Sequence, residues 1–291
     1  MKKLLLFTLL SFALISQAQK VSYSYYFNDP QKINPTKIYL DILTLDGGGL
    51  GAGLHGYFKP VKNIFVNGMF RYNYLSIANS GEKLSTNELK SGFHGEASAQ
   101  YQFAGNIKKK EKRTGIKVGA KTSLRIKAKV HKSYHVKVGA MLYRHAIQAT
   151  EDIPFVSNGV NIYNNDKGIF SNQTGTCFFV GYTGKKVRKV GVDIDMYGKR
   201  RTFLARTFFI DAIIGGTVLS DVTVNNINYN INDTKRDAVG YRMGWELEEN
   251  GTDVRFEMGK KPGVLLIKDV PFNYVLINFG FRIYGKEKFI F

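Results

Sequence analysis

Lys117, Lys121, Arg125, Lys127 and Lys129 recur at even spacing within the stretch from Ile116 to Val130, and His135 and Lys137 continue the same parity further on. A spacing of two puts side chains on one face of an extended strand. Neighbouring strands lie about 4.8 Å apart, so these side chains on two adjacent strands would form one cationic patch. Such a patch attracts anions: it could serve a selective pore, or bind an acidic solute or a lipid headgroup. Asp193, Asp195, Asp211, Glu246, Asp253 and Glu257 occupy the same parity in their own segments. They could instead neutralise the patch as a mesh of ion pairs. The mesh is the preferred reading, because a ring of about twelve strands is narrow enough to be filled largely by its own side chains.

Covalent or hydrolytic chemistry has less support. The histidines are His55, His94, His131, His135 and His145, and no Gly-x-Ser-x-Gly or His-Glu-x-x-His accompanies them. Ser98 and His94 share a face with no identifiable third member. His55, His94, His135 and His145 read as hydrogen-bonders on a wall rather than metal ligands. The single cysteine, Cys177, allows no internal disulfide and reads as an apolar strand residue. Asp46-Gly47-Gly48-Gly49 is a hairpin turn rather than a phosphate-binding loop. No catalytic, cofactor-binding or metal-binding set emerges, and a non-enzymatic protein without cofactors is expected.

The elements that carry these residues are strands. From Ile116 to Val130 the alternation runs without a slip and predicts one long strand. In Gly92 to Phe103, Phe93, Gly95, Ala97, Ala99, Tyr101 and Phe103 oppose His94, Glu96, Ser98, Gln100 and Gln102. Val190 to Tyr197, Tyr241 to Glu248 and Asp253 to Gly259 alternate in the same way. Ile38 to Leu45, Leu50 to Phe58, Ile64 to Leu75, Tyr134 to His145, Thr176 to Thr183 and Thr207 to Gly216 do so less cleanly. Turn sequences separate them at Asp46–Gly49, Lys59–Asn63 and Glu248–Gly251. Longer polar linkers run over Ala78–Lys90, Thr150–Gln173 and Ser220–Asp237. Up-down parity would be repaired by a further strand within Gly168 to Cys177 or within Val222 to Ile231. No internal repeat or second domain is visible.

The start of the chain reads as an address. Lys2 and Lys3 precede the apolar run Leu4 to Ile15, and Ser16-Gln17-Ala18 supplies small residues for cleavage after Ala18. The run is too short to cross about 30 Å of hydrocarbon as a helix. The expected organisation is a signal peptide over 1–18, an N-terminal segment over 19–36 and one β domain over 37–291. The net charge is +19, and with export expected, nucleic acid is not the expected partner for it. Phe and Tyr number 21 and 17 against 6 Pro, a balance that favours strands.

Three features point to a membrane rather than to water. The apolar faces are nearly continuous and rich in aromatics that cluster near strand ends, as at Phe70, Tyr72 and Tyr74; the opposite faces carry small and charged residues of both signs; and the last strand pattern finishes in an aromatic. In hydrocarbon every backbone donor and acceptor needs a partner, so a sheet must close. The fold class predicted is an all-β, antiparallel, up-and-down transmembrane β-barrel of about twelve strands, within a range of about ten to fourteen. The basic runs Lys108–Lys110, Lys112–Arg113, Lys185–Lys189 and Lys199–Arg201 are then solvated turns or contacts to anionic lipid phosphates.

A family resemblance enters at the final strand. Val275, Ile277, Phe279, Phe281 and Ile283 alternate with Asn278, Gly280 and Arg282, and the last residue is Phe291. This resembles the C-terminal assembly strand of Gram-negative outer-membrane β-barrel proteins, which ends in an aromatic residue. The sequence departs from that pattern where Gly285-Lys286-Glu287-Lys288 intervenes before Phe289-Ile290-Phe291. In style the chain is also similar to uncharacterised barrels from Bacteroidota. The resemblance implies an outer-membrane location, outer-membrane lipids and lipopolysaccharide as neighbours, and recognition of Val275, Ile277, Phe279, Phe281 and Phe291 by the barrel-assembly machinery. The expected role is a porin-like narrow channel or a structural or assembly protein with a charged lumen, with an anionic solute as a further candidate partner. The alternatives are a membrane-embedded enzyme acting on lipids and a soluble secreted β-sandwich that binds a ligand.

Overall fold

The computed structural model describes residues 22–31, 36–46, 49–76, 91–117, 123–164, 168–263 and 274–285. Fifteen strands account for nearly all of them: β1 (Tyr23–Phe27), β2 (Thr36–Asp46), β3 (Gly49–Val61), β4 (Ile64–Ser76), β5 (Phe93–Lys117), β6 (Ser123–Gln148), β7 (Val156–Ser157), β8 (Val160–Asn161), β9 (Phe170–Ile194), β10 (Gly198–Leu219), β11 (Val222–Val224), β12 (Ile227–Tyr229), β13 (Val239–Glu249), β14 (Thr252–Lys260) and β15 (Tyr274–Tyr284). There is no helix among the described residues. The signal peptide expected over 1–18 and the terminal Phe291 lie outside them.

Ten strands, β2 to β6, β9, β10 and β13 to β15, form one antiparallel sheet that returns on itself. β15 pairs with β2 and β6 pairs with β9, so this ring has no free edge. A sandwich would need two stacked sheets, and here a single sheet is hydrogen-bonded all the way round. The count is ten, at the lower end of the expected range, because two pairs of expected segments each fall on one strand. Thr176–Thr183 and Val190–Tyr197 both belong largely to β9, and Tyr134–His145 and more than half of Ile116–Val130 belong to β6, while Gly92–Phe103 is only the start of β5.

The run Ile116–Val130 needs the opposite correction. It straddles the connection between β5, which ends at Lys117, and β6, which starts at Ser123. Its unbroken alternation comes from two strand ends that happen to share a phase. Of the two places offered for a hidden strand, 168–177 holds the start of β9, whereas 222–231 holds the hairpin of β11 and β12, which pair only with each other.

The two-residue period sorts side chains to the two walls of the ring. On β10, Phe208, Ile210, Ile214 and Val218 point outward and are exposed, while Phe209, Asp211 and Ile213 are buried inside. β9 follows with Phe178, Val180 and Tyr182 outward, β6 with Val136, Val138 and Leu142, and β4 with Val66, Phe70 and Tyr72. On β15, Phe279, Phe281 and Ile283 are exposed, and Asn278 and Gly280 are buried. A residue such as Phe178, 63% exposed on an ordered strand, is costly in water, where exposed apolar patches of this extent are rare.

The longer connections, 77–92, 149–169, 220–238 and 261–273, all leave from one end of the ring. Two of them fold into a small apolar core of their own. Ile147, Ala149, Ile153, Phe155, Ile169, Leu219, Val222 and Ile231 are buried together there. Thr234 ties the two connections, since its Oγ1 accepts from the Val156 amide at 2.9 Å. At the other end β5, β6, β9 and β10 run on past the ring. Beyond Val130 and Arg188 the strands β6 and β9 part, and β1 enters between them. It pairs with Val192 and Ile194 of β9, while Tyr25 donates to the Lys127 carbonyl at 2.8 Å and Asn28 accepts from the Lys129 amide at 2.9 Å.

Candidate functional site

The interior of the ring gathers the charged residues that alternation directs inward. Arg242 on β13 lies at its centre, fully buried. Its Nη1 and Nη2 donate to both oxygens of Glu96 at 2.5 and 2.9 Å, and its Nε donates to Asp211 at 2.6 Å. Lys137 donates to the same Asp211 oxygen at 2.6 Å. Arg255 donates to Glu257 at 2.6 and 3.1 Å, and Tyr274 donates to the other Glu257 oxygen at 2.7 Å. Three cations thus meet three carboxylates. Phe179 and Phe209 supply ring faces to the cations: Arg242 lies 4.4 Å from the Phe179 centroid and Lys137 lies 4.5 Å from that of Phe209.

A second cluster continues the mesh on the other side of the ring. Lys37 donates to Glu248 at 2.8 Å, Tyr39 donates to the same oxygen, and Arg282 stands 3.9 Å away. His55 bridges Asp41 at 2.7 Å and Asp253 at 3.5 Å, with Arg71 3.5 Å from Asp41. Between them the two clusters draw on all ten strands of the ring. Burying ions is costly unless each finds several partners, and here most find two or more.

Glycines on the inner wall make the filling possible. A Cβ on Gly181 would stand 1.8 Å from the Asp211 carboxylate, and one on Gly244 would stand 2.4 Å from the Phe209 ring. At the long-connection end the interior is crossed by 261–263. Tyr143 of β6 donates to the Pro262 carbonyl, Gln173 does so at 3.2 Å, and the Lys261 ammonium lies 4.5 Å from the ring of Tyr274 on the opposite wall. On the short-turn side of Arg242 a cavity of about 80 Å³ remains, lined by Tyr57, Asn67, Gln100, Thr207, Glu246 and Glu248 among others.

The cationic patch expected from sequence is divided. His135, bonded to Ser133 at 2.9 Å, and Lys137 face the interior. Lys127 is exposed and Lys129 half-buried, because both lie beyond the point where β6 and β9 part and have no interior to face. The side chains of Lys117 and Arg125, and all of Lys121, fall outside the described residues. The acidic set divides in the same way. Asp211, Asp253 and Glu257 are buried in the mesh, and Glu246 lines the cavity. Asp193 sits in the extension and Asp195 in the exposed turn after β9, so neither reaches the interior.

Sequence reasoning missed Lys37, Asp41 and Arg71, and did not single out Glu96, Arg242 or Arg255, although the parity of each was readable. His94, 3.6 Å from Glu96, and His135 are buried inside, on the wall away from the apolar outer face. Cys177 is buried among Met141, Tyr143, Phe179 and Ile213. Among the described residues no group of three or more His, Cys, Asp or Glu side chains is placed to hold a metal ion.

Comparison with protein-family models, with curated proteins and with solved structures finds no match for this chain. Its class rests on the fold itself: an all-β antiparallel ring of ten strands, apolar without and charged within.

Proposed function

We propose that this chain is a Gram-negative outer-membrane β-barrel, non-enzymatic, whose lumen is closed at rest by its own ion pairs, and that it serves a structural or assembly role rather than open conduction. The supporting observation is the pairing of an apolar outer belt with a balanced, buried charge mesh inside. On β10 the belt from Phe208 to Val218 rises about 25 Å, taking roughly 3.3 Å per residue and a strand tilt of roughly 40°, which matches the apolar band of outer-membrane barrels. Within that band every backbone group of a closed ring has a partner, as hydrocarbon requires.

The short-turn end then faces the periplasm and the long connections face outward. Outer-membrane lipids on the belt, lipopolysaccharide at the outward rim and the barrel-assembly machinery acting on Val275, Ile277, Phe279 and Phe281 are the partners this reading implies. A porin-like channel needs a continuous water path, and Arg242–Glu96 together with 261–263 stand across it. The cavity near Glu246 and Glu248 supports a second, narrower reading in which a small solute enters from the periplasmic side only.

The test is conductance of the purified protein in planar bilayers, after heat-modifiable gel migration has established a folded barrel. Electrical silence is expected. Stable ion-conducting steps from the unmodified chain would falsify the closed-lumen reading.

A further inference from the structure

Just below the apolar belt, at the short-turn end, three cations lie side by side on the outer wall. Lys132 of β6 is register-paired with Lys186 of β9, and Lys186 is register-paired with Arg206 of β10. All three point outward, since His131, Ser133, Val187 and Ala205 beside them are buried inside. Like charges directly opposite one another destabilise a sheet. No ion pair or hydrogen bond to another residue engages any of the three among the described residues. Glu246 and Glu248, beside the Arg206 partner Leu247, face the interior, so the carboxylate nearest by register on the outer wall is Glu249, one row further from the belt, where Leu204 stands between it and Arg188.

The next row toward the belt is aromatic: Tyr134, Gly184, Phe208 and Trp245 are register neighbours across β6, β9, β10 and β13. Gly184 leaves a notch in it, because a Cβ there would meet nothing closer than the Tyr134 ring at 3.9 Å. A cationic row over an aromatic row is the order of groups in a lipid at the interface, phosphate outermost and glycerol and acyl chains beyond it.

We propose that Lys132, Lys186 and Arg206 seat the phosphate of an anionic glycerophospholipid, with the notch over Gly184 taking the glycerol end of its chains. The inference rests on the membrane reading above and adds a specific lipid site to it. Three adjacent strands span about 10 Å, a width suited to one phosphodiester rather than to a headgroup with two separated phosphates. The position at the short-turn end places the site in the leaflet where glycerophospholipid is the available anion.

The experiment is native mass spectrometry of the delipidated full chain in detergent, titrated with dioleoylphosphatidylglycerol or dioleoylphosphatidylcholine. One retained phosphatidylglycerol per chain is expected, and phosphatidylcholine is not retained. The Lys132→Gln/Lys186→Gln/Arg206→Gln variant should bind phosphatidylglycerol on the order of a hundredfold more weakly, and Lys186→Gln alone about fivefold. The single substitution serves should the triple variant fail to fold. A variant of equal charge loss, Lys199→Gln/Arg200→Gln/Arg201→Gln at the start of β10 and further from the belt, should bind as the parent does. Equal loss in both triple variants, no preference between the two lipids, or tighter binding of lipid A than of phosphatidylglycerol overturns the site. A chain that is a compact monomer in plain buffer overturns the membrane reading beneath it, an outcome separate from these.

Discussion

Arg242 and Glu96 hold each other across the interior of the ring by two hydrogen bonds of 2.5 and 2.9 Å, although β6, β9 and β10 stand between their strands on the shorter way round. The contact spans the interior at that level. It also makes the two halves of the ring interdependent, because Arg242 is at once the partner of Asp211 on the neighbouring strand.

Arg242→Ala leaves Glu96 and Asp211 buried without their main cation. Loss of one partner from a buried pair costs about 3–5 kcal/mol. The urea midpoint for unfolding from lipid vesicles should fall accordingly, and Arg242→Lys should recover only part of it, since an ammonium cannot bond both Glu96 oxygens and Asp211 in the same geometry.

Ile214 is 61% exposed near the middle of the outer belt. On a water-facing wall Ile214→Arg would change stability by no more than about 0.5 kcal/mol. At the midplane of a bilayer it should cost about 2–4 kcal/mol. Equilibrium folding into phosphatidylcholine vesicles separates the two cases.

Gly181 and Gly68 make a paired comparison. Gly181→Val drives a side chain into the Asp211 carboxylate and the Ile210 carbonyl, the latter 2.5 Å from the Cβ position, and should abolish the heat-modifiable folded band. Gly68→Ala, on the outer wall with nothing within 4 Å of its Cβ, should leave that band unchanged.

Phe155 is wholly buried in the small core built by the long connections. Phe155→Ala should destabilise that cap by about 3–5 kcal/mol. Limited proteolysis is then expected to cut within 149–169 while the ring survives intact, because the cap core shares few of its side chains with the ring interior.

Much of this is legible in the sequence. The outward order of Val275, Ile277, Phe279 and Phe281 and the inward order of Asn278 and Gly280 follow from a period of two alone. So does the sharing of one wall by Lys137 and Asp211. The strand count was less legible, since nothing local in β9 or β5 marks where a strand leaves the ring and continues as an extension. Lys127 has the parity of Lys137 but not its surroundings, because parity is set by the pleat and burial by whether a neighbouring strand is still present.

The sequence by itself determined which side chains share a wall, where most hairpins turn and that the protein is all-β, because each is a property of a single strand and its nearest turn. The tertiary structure alone decided that β6 meets β9, that Arg242 reaches Glu96, that 261–263 lie across the interior, and that Lys132, Lys186 and Arg206 form one row. Those are relations between segments far apart in the chain, set by register and closure, which local alternation leaves open by any multiple of two residues.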